Sequence, residues 1–537
     1  MVLSLSGLLA AALVTSAAAF DFEAACSGIA TQVASISNTT VFHTDIVSAG
    51  TNLTFPDQDP TCSASRFSQV VLVDMCRVTL NVSTSSSSGI FMETWLPRNW
   101  TGRFLSTGNG GLGGCIQFED MAYATALGFA TVGANNGHNG TGGTLLNNPE
   151  VLADFVYRSI HTNVVVGKEI TDAFYGSPHN TSYYLGCSTG GRQGWKMVQD
   201  FPEDFDGVVA GSPAINFNNV INYASRFHNI LGNASSPTFI TSDKWLGLIH
   251  NNILEQCDTI DGVTDGIIED PNLCDYKPEE LICEPGTSDT SNCLTAEQAG
   301  AVRAVFSPMY DTQGQLMFPR QQPGSENAAI LNVSYGTNIF AFAPDWYHYA
   351  IFDPSLDLNT LNLTDFVFAE NLDPFNISTF KGDLSAFQNR GSKVITYHGQ
   401  ADMIISSTDT ELYYQHVAQT MGLPPSEIDK FMRFFRISGM SHCSLANGPG
   451  AWEIGQTLAG VGNNVTSETL DPERNVLTAI VRWVEEGVAP ETILGTKLVN
   501  DTPQLGVEFS RRHCRYPFRN VYNGTGDSTL PDSWSCQ

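Results

Sequence analysis

Basic residues are scarce in this chain: 26 lysines and arginines stand against 55 aspartates and glutamates, a formal charge of −29 at pH 7. An excess of that size repels polyphosphates and anionic lipid surfaces, which weighs against nucleic acid and acidic membranes as partners. It is compatible with solubility in acidic surroundings and says nothing about the fold. Beyond the N-terminus no apolar run approaches the roughly 20 residues of a membrane span, so a soluble mature protein is expected. No internal repeat divides the chain. The apolar opening, residues 2–14 (VLSLSGLLAAALV), has no lysine or arginine beside it and relies on the α-amino group for positive charge. Followed by Ala17-Ala18-Ala19, it reads as a signal peptide over residues 1–19, removed on export.

What is present is a large globular composition. With 537 residues, 42% hydrophobic and 10% aromatic, the chain can bury a sizeable core and form more than one domain. Twelve cysteines behind an export signal point to six disulfides, although spacing alone does not give their connectivity. Asn-x-Ser/Thr sequons begin at Asn38, Asn52, Asn81, Asn99, Asn139, Asn180, Asn233, Asn332, Asn362, Asn376, Asn464, Asn500 and Asn523. That density fits a eukaryotic, secreted, extracellular glycoprotein.

Strand-then-helix grammar appears at both ends of the chain. Residues 103–106 run into a glycine-rich loop, Thr107 to Gly114; 182–187 read as a strand followed by a helix over 190–201. Later, 393–398 and 432–437 are strand-like, and 473–486 places Val476, Ile480, Val481 and Val484 at helical spacing before Gly487. Such alternation predicts a parallel sheet covered on both faces. From about 220 to 385 the periodicity weakens while Pro, Gly, Asn and Asp accumulate, which reads as a long insertion between two strands.

Gly186-Cys187-Ser188-Thr189-Gly190 is a G-x-S-x-G placed between the strand and the helix. A serine on so sharp a turn sits in strained backbone with its hydroxyl aimed off the sheet, and glycines two residues away on each side relieve the crowding. The plainer alternative is a glycine-rich turn whose serine caps the helix. In this arrangement Thr189 would offer one backbone N–H to an oxyanion, and Gly110 or Gly111 in the early loop the other. The order nucleophile, acid, base then selects Asp402, after strand 393–398, and His442, in a small-residue turn after strand 432–437. Asp409 is the fallback acid, while His416 and His513 look structural. Were Ser188 and His442 in hydrogen-bond reach, Cys187 and Cys443 could lie at disulfide distance of each other.

Residues 257–274 (CDTIDGVTDGIIEDPNLC) interleave aspartates with glycines between two cysteines. The spacing is not that of an EF-hand. Carboxylates with backbone carbonyls from Val263 and Ile267 would suit Ca²⁺, and a solvated acidic turn is the alternative.

Taken together, Cys187-Ser188-Thr189-Gly190-Gly191, Asp402 and His442-Cys443 resemble the tannase/feruloyl esterase family of serine esterases across essentially the mature chain. The resemblance implies an α/β-hydrolase core (residues 20–220 and 386–537) with a large inserted lid domain (221–385). It also implies a Cys187–Cys443 disulfide beside nucleophile and base, and structural Ca²⁺ held by Asp258, Asp261, Val263, Asp265 and Ile267. Family members divide between feruloyl esterases, acting on plant cell-wall polysaccharide, and tannases, acting on galloyl esters. Fungal tannases tend to be split at a dibasic site in the lid; here the only dibasic step is Arg511-Arg512, which tilts the expectation toward a feruloyl esterase. Two other readings are a non-catalytic, calcium-dependent wall-binding glycoprotein and a serine carboxypeptidase, whose Gly-Glu-Ser-Tyr motif is absent.

Overall fold

The computed structural model describes residues 20–65, 67–326, 339–444, 448–461, 463 and 465–537. The expected signal peptide over 1–19 and the sequons at Asn332 and Asn464 lie outside the described residues. Nine strands form the main sheet: β1 (Thr39–Val47), β2 (Met75–Ser83), β3 (Gly89–Pro97), β4 (Arg103–Thr107), β5 (Phe129–Ala134), β6 (Thr181–Cys187), β7 (Gly207–Gly211), β8 (Lys393–Gly399) and β9 (Met432–Ile437). Their spatial order is β1-β2-β3-β5-β4-β6-β7-β8-β9. From β5 to β9 every pairing is parallel. The pairings of β1 with β2, β2 with β3 and β3 with β5 are antiparallel. The expectation of a parallel sheet is corrected at that end, giving a mixed sheet in an α/β fold. The reason is local. Only the short turn at residues 84–88 joins β2 to β3, too short for the crossover that parallel neighbours need.

Helices cover both faces. On one side α1 (Phe22–Val33), α3 (Ser159–Tyr175), α4 (Thr189–Asp200) and α5 (Ser407–Met421) contribute Ile29, Val164, Trp195 and Tyr413 to one apolar cluster. On the other, α2 (Phe118–Ala126) and α6 (Val476–Glu486) contribute Tyr123, Ile480 and Trp483. The aliphatic ones among them, Ile29, Val164 and Ile480, each contribute about 1.5–3 kcal/mol relative to exposure. Helix α6 starts three residues later than its apolar spacing predicts, because the Asn475 side chain accepts from the Leu477 and Thr478 N–H groups, each at 3.0 Å. It stops at Gly487, at φ +73°, where a side chain would be strained.

Between Gly211 and Lys393 no described strand joins the main sheet. This insertion has a core of its own around Tyr223, Trp245, Trp346 and Tyr347, continuous with Leu112, Phe155, Met403 and Ile405 of the sheet-bearing part. That shared cluster seats the insertion against the loops at the C-terminal ends of the parallel strands. All twelve cysteines are paired, as Cys26–Cys76, Cys62–Cys115, Cys187–Cys443, Cys257–Cys274, Cys283–Cys293 and Cys514–Cys536.

Candidate active site

Ser188 closes β6 and precedes the first turn of α4, with φ +64° and ψ −125°. A non-glycine residue there costs on the order of 1–3 kcal/mol and persists only where its surroundings impose it. Three backbone bonds do so: Ser188 N–H donates to the Gly211 carbonyl, and its own carbonyl accepts from Arg192 and Ala214. The flanking glycines are required by packing. A Cβ on Gly186 would come within 2.8 Å of the Gly190 backbone, and one on Gly190 within 2.9 Å of the Asn109 carbonyl.

The glycine-rich loop after β4 is laced to this turn. The Thr189 hydroxyl donates to the Gly111 carbonyl at 2.6 Å, and the Asn109 N–H donates to the Gln193 side chain at 2.9 Å. Thr189 opens α4, where backbone N–H groups have no partner within the helix and the helix dipole favours negative charge. Gly111 lines the pocket beside Ser188, and the loop is held behind it by the Gly113 N–H donating to the Gly110 carbonyl.

Asp402 and His442 meet in the turns after β8 and β9. The His442 Nδ1 lies 2.6 Å from Asp402 Oδ2, with Asp402 fully buried and His442 nearly so. Those two turns are bound to each other through Gln400 N–H to the Ile437 carbonyl and Ala401 N–H to the Met440 carbonyl, both 2.9 Å. Cys443 is bonded to Cys187, the two Cα atoms 6.0 Å apart, which brings the neighbour of His442 beside the neighbour of Ser188. Burial on its own would push the Asp402 carboxyl up. The charge of His442 and the N–H groups of both His442 and His398 outweigh that and hold it well below the usual carboxylate range.

Asp409 lies apart from this pair. It is buried in the first turn of α5, accepts from the Asn216 N–H, and leaves Oδ2 without a partner. His416 is on α5, and His513 is buried with Nε2 2.9 Å from the Ala451 carbonyl.

Side chains that no sequence motif marks complete the pocket. Leu112, Ala214, Phe217, Val220, Ile221, Phe340, Phe342, Ile404 and Ile405 wall the space over Ser188, and Ser188 and Thr189 are its polar side chains. Most of these come from the insertion, where weak periodicity hides them. His398 was missed as well, because it reads as one more residue of an apolar strand.

In the acidic loop, Asp258 Oδ1 and Asp261 Oδ2 are buried without hydrogen-bond partners. Two buried carboxylate oxygens left bare fit a hard divalent cation. Asp265 differs: it accepts from Ile267 N–H at 3.1 Å and pairs with Arg511 at 2.8 Å. Among the described residues no three His, Cys, Asp or Glu side chains converge as a metal cluster, so carbonyls of the Val263 and Ile267 kind would have to supply the remainder.

Comparison with known proteins places this arrangement. The family model described as Tannase and feruloyl esterase matches residues 76–537. Feruloyl esterase C of Talaromyces stipitatus is 51% identical over 518 residues, covering 96% of this chain and 95% of that protein. Probable feruloyl esterase B-2 of Aspergillus oryzae is 50% identical over 517 residues, again 96% and 95%. The crystal structure of feruloyl esterase B from Aspergillus oryzae superposes with a TM-score of 0.91 at 49% identity, covering 96% of this chain and all of that one. Tannin acyl hydrolase from Aspergillus niger shares the fold at a TM-score of 0.73 and 21% identity, covering 97% and 96%. The fold and site define a carboxylic ester hydrolase. The chain belongs to the tannase and feruloyl esterase family.

Proposed function

We propose that this chain is a secreted serine carboxylesterase that hydrolyses feruloyl (hydroxycinnamoyl) esters of plant cell-wall polysaccharide. It would do so through an acyl-enzyme on Ser188, within an α/β-hydrolase core (20–220 and 386–537) roofed by a lid (221–385). His442 takes the Ser188 hydroxyl proton at Nε2, Oγ attacks the ester carbonyl, and N–H groups at Thr189 and Gly110 or Gly111 receive the oxyanion. The imidazolium, paired with Asp402, returns the proton to the departing sugar alcohol. Water then attacks the acyl-enzyme by the same route and frees the hydroxycinnamate.

The observation that carries this reading is the Phe- and Ile-walled pocket on Ser188, two of whose walls, Ile404 and Ile405, donate their N–H groups to the Asp402 carboxylate that meets His442 at 2.6 Å. Its walls suit a flat, largely apolar acyl group. A galloyl ring brings three hydroxyls, and among the described walls only Ser188 and Thr189 carry polar side chains, which disfavours tannase activity. Disulfides throughout and no described helix long and apolar enough to span a membrane fit export. Each described sequon asparagine is exposed except Asn81, which is half-buried, in keeping with glycosylation. One structural Ca²⁺ in the 257–274 loop, held by Asp258, Asp261, Val263, Asp265 and Ile267, belongs to the same reading, supported by the two bare carboxylate oxygens. It stabilises rather than reacts, since acyl transfer here draws on Ser188, His442 and backbone N–H groups.

Rates on methyl ferulate, methyl caffeate and methyl gallate test the assignment, with Ser188→Ala as control. Ferulate or another hydroxycinnamate should be preferred, and Ser188→Ala should lose about 10⁴-fold or more in kcat while remaining folded. A preference for gallate, or a Ser188→Ala enzyme within tenfold of wild type, would overturn it.

A further inference from the structure

The carboxylate of Asp402 meets two histidines, and the reaction above uses one. Its Oδ1 accepts from the Ile404 and Ile405 N–H groups at 2.9 and 3.0 Å. Its Oδ2 faces His442 Nδ1 at 2.6 Å and His398 Nε2 at 3.2 Å. Two partners on each oxygen fill the acceptor capacity of an ionised carboxylate. Nothing is left for water, and none of the four N–H groups is redundant.

The surroundings of His398 fix its proton. Its Nε2 lies near two acceptors, Asp402 Oδ2 and the Ile405 carbonyl at 3.1 Å, so it must carry hydrogen. Its Nδ1 lies 2.8 Å from the Thr410 hydroxyl, which can donate to it. The ring is fully buried. A neutral imidazole protonated at Nε2 satisfies every contact. A charged one would set a second imidazolium against the same oxygen as His442 and repel the charge that forms there during acyl transfer.

We propose that His398 is a positioning residue, a neutral Nε2–H imidazole that holds Asp402 Oδ2 in place for His442 and takes up part of the carboxylate's charge. This rests on Ser188, His442 and Asp402 acting as the triad. Removing that donor concentrates the carboxylate's charge on His442, which then keeps its proton to higher pH, and it frees the carboxylate to turn about the Oδ1 anchor. The other charged groups nearby do not substitute for it. Arg436, the register neighbour of His398 on β9, is turned to Asp270 and Glu411. On α5, burial biases both Asp409 and Glu411 toward the neutral form.

Profiles of kcat/KM against pH on methyl ferulate for wild type, His398→Leu and His398→Gln decide the matter, with thermal unfolding of each. Leucine keeps the bulk and loses the donor. Its acid limb should move up by about half a pH unit and its plateau kcat fall about tenfold. Glutamine restores an N–H near the Nε2 position and should bring the acid limb back toward wild type. A merely structural role would lower the melting temperature in both and leave the limb in place, and that result overturns the proposal. Should His398→Leu not fold, ¹⁵N–¹H spectra of histidine-labelled wild type give the answer, the His398 signal being the one missing from His398→Gln. An Nε2–H tautomer at neutral pH is expected; Nδ1–H or a doubly protonated ring overturns it. Loss of turnover in Ser188→Ala is scored separately, so failure of the triad reading is told apart from failure at His398.

Discussion

At the residue scale, two buried aspartates show how surroundings divide one side-chain chemistry into two states. Asp402 has four N–H donors and stays ionised; Asp409 has one backbone donor, a bare Oδ2, and a carboxyl pushed up to about 7 by burial. The consequence for stability has a definite sign. A carboxyl whose folded value lies above its ordinary 3.8 binds more protons when folded, so its contribution is intact below about pH 4 and is lost as pH rises toward 7. Asp409→Asn keeps the shape and removes the titration. We expect the variant to match wild type near pH 4 and to exceed it at pH 7 by on the order of 2–4 kcal/mol. Unfolding curves across that range check this, and parallel stability–pH profiles for the two proteins would dismiss it. Asp409 and Asp402 look alike in one dimension, and only their packing in the fold separates them.

At the scale of elements, what was legible is what local chain geometry writes down. β6, the Ser188 turn and α4 follow within one residue from Gly186 to Gly190, because a strand-to-helix turn that tight needs glycine at both flanks. β8 and β9 also fall where their apolar runs end, and the turns after them carry Asp402 and His442. The antiparallel strands were not legible. β1 runs half-exposed with a bulge between Val41 and His43, which spoils the period of two. Inside the insertion, single π-helical turns at Lys244–Ile249 and Tyr347–Ile351 break the helical period that would have marked Trp245 and Tyr347 as core. The elements that bear on the chemistry are fastened by Cys187–Cys443, which joins the end of β6 to the turn after β9 across 256 residues of chain. Closing a loop of that length stabilises by about 5 kcal/mol on chain-entropy grounds. Its larger effect should be on the rate, since misplacing a reacting pair by about 1 Å can cost 10²-fold. The double variant Cys187→Ser/Cys443→Ser should therefore lose about 10²-fold in kcat under conditions where circular dichroism shows it folded. A folded double variant with wild-type kcat would show that the hydrogen bonds between the turns suffice.

At the scale of the whole molecule, the acidic loop joins parts of the chain that are far apart in sequence. Cys257–Cys274 closes it, and Arg511 of the C-terminal hairpin (Thr492–Leu498 with Val507–Cys514) reaches Asp265 and Glu269. Asn520 bonds to Glu269 as well, at 2.9 Å. Arg511 answers part of the negative charge gathered there, but Asp258 Oδ1 and Asp261 Oδ2 stay bare and buried. In a chain of net charge −29 a divalent cation at that point relieves both the local and the overall repulsion. If Ca²⁺ fills it, binding to the folded state alone adds about 2.7 kcal/mol when free Ca²⁺ is a hundredfold above Kd. Chelation should then lower the melting temperature by several degrees and Ca²⁺ should restore it, with elemental analysis finding one calcium per chain. Asp261→Asn should reduce both the metal content and the response to chelator. The effect on kcat should be secondary and follow loosening of the insertion, because the loop adjoins Gly439 and Gln400 rather than Ser188. A melting curve indifferent to excess chelator, in protein free of metal, would leave the loop's charge to arginines, Arg511 at Asp265 and Glu269 with Arg436 and Arg519 at Asp270.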